Sequence, residues 1–132
     1  MGSFSNYLEN RLLDHLFCKN TYMSPTIYVA LSTTDPGESG SSLSEPNPPN
    51  GYSRVATSEN NWNDAVSGLI DNYTELTFPQ ATGNWGTITH FALMDAATGG
   101  NMLAYGALGT SKTIGSGDTV KFAAGDLDVS LD

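Results

Sequence analysis

The chain is poor in positive charge. Lys and Arg together number 5 against 14 Asp and Glu, a formal net charge of −9 at pH 7. Nucleic-acid affinity rests on cations that neutralise phosphates, so DNA or RNA is not an expected partner. An acidic surface aids solubility and selects basic patches on a partner. Cysteine occurs once, at Cys18, which excludes an internal disulfide and a zinc site built on several thiolates. Apolar runs are short, and none approaches the roughly 20 residues of a membrane-spanning helix. The start, MGSFSNYLENRLLDHLF, lacks a basic segment followed by an apolar one, so no secretory leader is expected. Charged residues of both signs make up only 14%. That argues against a mostly helical surface, which leans on Glu, Lys and Arg.

Motifs that carry chemistry are equally scarce. There is no Gly-x-x-x-x-Gly-Lys-Ser/Thr loop and no Gly-x-Ser-x-Gly in a strand-to-helix setting. His15 and His90 have no neighbouring nucleophile or acid in motif context and read as structural. Cys18 reads as an idle or buried thiol. The carboxylates of Asp35, Glu38, Asp118, Asp126, Asp128 and Asp132 fall in turns or on one strand face. No pair is singled out for glycoside hydrolysis, and no Asp-x-Asp-x-Asp-Gly loop points to calcium. Tyr28, Tyr52, Trp62, Tyr73, Trp85 and Tyr105 are too scattered for a sugar platform and suit core or interface packing. No enzyme activity, cofactor or metal is expected.

What is present is turn chemistry and short alternating runs, enough for a single domain spanning residues 1–132. The one helix is expected at about residues 5–18. Ser5 or Asn6 caps it, Asn6 and Glu9 have capping-box spacing, and Asn20 is a left-handed stop. Leu8, Leu12, Leu13, Leu16 and Phe17 form an apolar stripe that packs on the domain's own sheet or docks on another subunit. A β-sandwich is expected over about residues 26–132. Its strands are Thr26–Ser32, Tyr52–Thr57, Thr74–Phe78, Thr87–Met94, Asn101–Leu108, Lys112–Ile114, Thr119–Ala123 and a last run ending at Asp132. In that last run Leu127, Val129 and Leu131 face the core while Asp126, Asp128, Ser130 and Asp132 face water. Thr87–Leu108 is the organising hairpin, apolar on both faces and therefore covered on both. Residues 58–73 read as an irregular excursion with a short strand near Gly68–Asp71. The loop 33–51 holds Pro36, Pro46, Pro48 and Pro49. Such a loop is solvated or lies as an arm on a neighbour. The fold class is mainly β: an antiparallel sandwich or jelly roll of about seven or eight strands with one N-terminal amphipathic helix.

Four pieces, SNYLENRLLDHLF with TIYVALSTTDPG, GYSRVA, FPQATGNWGTITHFALMDAATGGNMLAYGAL and TSKTIGSGDTVKFAAGDLDVSLD, resemble a family of small proteins from tailed bacteriophages. Its members are labelled either head decoration (cement) or tail-fibre-like. The resemblance implies a virion structural protein without enzymatic activity, assembled in the host bacterial cytoplasm, and it carries no catalytic residues. The preferred reading is a capsid cement protein that stabilises the head shell by binding the major capsid protein and copies of itself, a trimer being the expected order. The alternative is a tail or fibre component touching other tail proteins or host glycans, and a phage-borne hydrolase is the third. The residues expected at protein interfaces are Leu8, Leu12, Leu16 and Phe17 on the helix, and Asp35, Pro36, Pro46, Pro48 and Pro49 on the loop. No membrane partner is expected.

Overall fold

The computed structural model describes residues 2–131. In chain order its elements are β1 (Gly2–Phe4), α1 (Asn6–Leu16), β2 (Tyr28–Ser32), β3 (Val55–Ala56), β4 (Leu69–Asp71), β5 (Leu76–Thr77), β6 (Gly86–Met94), β7 (Met102–Ile114), β8 (Lys121–Phe122) and β9 (Asp128–Ser130). The protein is mainly β with one helix, as the alternating runs imply. Seven strands form one sheet in the order β3-β2-β6-β7-β1-β9-β4, and β5 pairs with β8 in a separate ribbon. The sheet is mixed: β1 runs antiparallel to β7 but parallel to β9.

The expected hairpin sits at the middle of the sheet. In β6–β7 the residues alternate between two buried faces. Ile88, Phe91, Leu93 and Leu103 join Val29 and Leu31 of β2 in the main core. Ala92, Met94 and Met102 join Ala30 in a second cluster on the other face. The β5–β8 ribbon lies over the main core, where Phe78 and Phe122 meet at 6.1 Å and Phe91 and Phe122 at 6.4 Å, both edge to face. This layering is consistent with a sandwich whose second layer is short. Loop 33–51 covers the second face, with Leu43 packed on the small cluster.

Local chemistry sets the elements. Ser5 caps α1 by accepting from the Leu8 N–H at 3.2 Å, while its own hydroxyl donates to the Met102 carbonyl. The left-handed stop is Cys18, with φ of 60°, rather than Asn20. The Lys19 N–H then donates to the Asp14 carbonyl at 2.8 Å, closing the helix end two residues earlier than expected. The three residues before the cap, which have too little pattern to read as a strand, add β1 between β7 and β9. Tyr52–Thr57 pairs only at Val55–Ala56, because the Leu31 N–H donates to the Tyr52 hydroxyl at 3.1 Å instead of to a strand carbonyl.

Within residues 58–73, a short 3-10 turn at Glu59–Asn61 leads into a hairpin over 62–72. Trp62 bridges Asn72, and Val66 bridges Leu69 across a two-residue turn in which Ser67 and Gly68 have φ of 54° and 77°. That is the primed turn that matches strand twist. Asn72, fully buried, ties the hairpin to the chain's last turn: its side-chain oxygen accepts from the Leu127 N–H at 2.9 Å and its amide donates to the Ala123 carbonyl at 3.0 Å. In the last run, Leu127 and Val129 are buried as expected, but Leu131 is 63% exposed. It lies beyond β9, where its N–H donates to the Gly68 carbonyl at 2.7 Å. Asp132, expected on the acidic face, lies outside the described residues. Among the described residues no helix is long and apolar enough to cross a membrane.

Candidate functional site

The long loop is held by charge. Arg54 Nε and Nη2 each donate at 2.8 Å to the two oxygens of Glu45, and the Tyr52 hydroxyl donates to Glu45 Oε1 at 2.6 Å. Arg54 Nη1 also donates to the Ala96 carbonyl at 2.7 Å and the Gly99 carbonyl at 2.8 Å, in the β6–β7 turn. The Arg54 side chain is 5% exposed, so the guanidinium depends on these acceptors. Burial alone would raise the Glu45 carboxyl. The hydrogen bonds from Arg54 and Tyr52 outweigh it and hold the group below its ordinary value. Burial, then the bond to Glu45, pushes Tyr52 far above the usual phenol range. Pro36 and Pro46 are buried within the folded-back loop, while Asp35, Pro48 and Pro49 are exposed. The Asp35 carboxylate accepts from the Gly37 N–H at 2.9 Å and lies 3.9 Å from His90 Nε2.

The helix residues divide in the same way. Leu8 packs half-buried against the main core and Leu12 is half-buried, but Leu16 is 72% and Phe17 68% exposed. Leu12, Leu13 and Leu16 form, with Phe4 and Leu131, a shallow apolar patch rimmed by Glu9. Helix and loop meet at the helix start, where the Asn6 N–H donates to the Glu38 carbonyl at 3.0 Å.

Beside the helix, the short ribbon leaves one end of the sheet's inner face uncovered. A groove of about 480 Å³ opens there. Its floor is Leu93, Leu103, Ala104 and Val129 from β6, β7 and β9, and its walls are Leu8 on one side and Trp62 and Ile70 on the other. The Trp62 indole N–H donates to Thr57 Oγ1 at 3.0 Å, and Thr57 donates to the Ile27 carbonyl at 2.8 Å, so the ring is held in one orientation. Past Trp62 and Ile27 the groove continues into a second hollow lined by Pro25 and Thr57. Glu59, Asn63 and Asp64 stand on the rim, and neither hollow is lined by Lys or Arg. No single stretch of the sequence marks this groove. Trp62 was visible as an aromatic wanting burial, but the sheet floor comes from strands far apart in the chain.

The groups weighed for chemistry have other partners. Asp118 accepts from the Gly115 N–H at 2.8 Å and Asp126 from the Ala123 N–H at 3.1 Å, both closing turns. His15 Nδ1 accepts from the Tyr22 N–H at 3.1 Å, His90 Nδ1 lies 2.8 Å from Thr89 Oγ1, and Cys18 is exposed.

The model of one protein family, described as Podophage GP4 fiber I protein gp80, matches residues 3–130. No curated protein matches the chain.

Proposed function

The chain belongs to the podophage GP4 fiber I protein gp80 family, a tailed-phage virion structural family, and from that premise we propose that it is a structural component of the fibre apparatus of a phage particle. The match over residues 3–130 carries this reading. It favours the fibre alternative over the head-decoration role preferred from sequence. The role is assembly, not catalysis. The surface supports it: turn-closing Asp118 and Asp126 are committed to backbone amides, while Leu13, Leu16 and Leu131 are left in water. Exposed apolar side chains gathered in one patch mark contact surfaces. We assign this patch to contact between copies of the chain, with neighbouring tail proteins as further partners.

Location on the particle tests the reading. Gold-labelled antibody on purified virions, together with quantitative mass spectrometry, should place the protein at the tail in low copy number relative to the major capsid protein. Labelling spread over the head, at a copy number comparable with the capsid protein, overturns the fibre role and returns the cement role.

A further inference from the structure

We propose that the groove beside Trp62 binds an extended segment of a partner protein in which apolar residues alternate with Lys or Arg. Its size of about 480 Å³ falls within the roughly 300–1,000 Å³ of preformed ligand sites, room for a few side chains. Apart from Phe4 and Trp62, its floor and walls are aliphatic. That suits Leu, Ile or Val better than a sugar, which asks for polar groups around an aromatic platform. Both hollows share Ile27, Glu59 and Trp62, so the site is elongated, as an extended strand requires.

Charge selects the rest of the occupant. Glu59 and Asp64 are exposed on the rim, and no cation lines the groove to balance them. An anionic lipid or acidic peptide is repelled, and a basic one is steered in. A second copy is a poor occupant of this groove, because the 5 Lys and Arg of the chain are scattered singly and no segment alternates apolar residues with several cations. The wall is ready before binding: Trp62 is fixed through Thr57, and its hairpin through buried Asn72. Little ordering remains to oppose association. The site adjoins the helix patch, with Phe4 lining both, and does not depend on whether the protein sits on the tail or the head.

The test uses the full chain and a set of short fluorescent peptides in which Leu or Ile alternates with Lys, against the same set with Glu for Lys. Fluorescence anisotropy should show binding of the Lys set only, weakening as salt screens the rim. The double variant Glu59→Lys with Asp64→Lys should weaken binding by about tenfold or more. Ala65→Trp, which fills the groove from an exposed position, should do the same. Unchanged thermal unfolding of the charge variant keeps the result interpretable if Ala65→Trp disturbs the fold. Binding of neither set, equal binding of both, or affinity unchanged by the charge variant overturns the proposal. So does loss of a dimer in sedimentation on Ala65→Trp, which makes a second copy the occupant.

Discussion

Glu45 carries more of the fold than its place in a loop suggests. It accepts from both Arg54 and Tyr52, and Arg54 in turn holds the β6–β7 turn. Glu45→Gln leaves a nearly buried guanidinium short of charge, and we expect a loss of about 2 kcal/mol in denaturant unfolding, less than for a fully buried pair because Glu45 is partly exposed. Its folded pKa lies below its unfolded value. The stabilisation is therefore complete above the unfolded value and is lost as pH falls through the folded one. Wild type should lose this increment on acidification below about pH 4.5, the ordinary glutamate range. The Gln variant should show a shallower acid limb. Gly100 gives a second residue-level test. At φ of 76°, a Cβ there would sit 2.5 Å from Asp95 Oδ1 and 2.7 Å from Ala96 Cβ. Gly99 shares a positive φ of 61° but has open space around it. Gly100→Ala should cost more than Gly99→Ala by about 1 kcal/mol or more in thermal unfolding.

Among the elements, the hairpin 62–72 is held by the pairing of β4 with β9 and by one buried polar side chain. Asn72 is buried and bonds to the Thr74 and Ala123 carbonyls and the Leu127 N–H. Asn72→Leu removes these bonds and leaves the buried Leu127 N–H without its acceptor, an expected cost of about 3 kcal/mol. Because the same bonds place Trp62, the variant's indole emission should shift to the red as the ring gains water. An unshifted spectrum in a destabilised variant would show that Thr57 alone holds the ring. The helix behaves differently along its length. Its first turn is tied to β7 and the loop through Ser5 and Asn6, while its last turn is largely in water.

At the scale of the molecule, that last turn bears on assembly. Leu16 and Phe17 make little burial in one copy. Replacing both with Asp should change unfolding free energy by less than about 0.5 kcal/mol, as for surface substitutions in general. It should lower any self-association seen by analytical ultracentrifugation. Unaltered association would move the contact away from the helix end.

The parts legible in the sequence are those whose signal is local. Ser5 ahead of a spaced apolar stripe specifies a capped helix, and Val29, Ala30, Leu31 and the β6–β7 alternation specify two buried faces, because side-chain period follows directly from backbone geometry. Tertiary structure decided whatever needed a distant partner. Gly2–Phe4 became a strand only because β7 and β9 offered it two open ladders. The proline-rich loop folded back because Glu45 found Arg54, and Leu131 left the core because the chain turned toward Gly68. The groove itself exists because a short ribbon covers only part of a wide sheet, a mismatch of areas that no single stretch of residues contains.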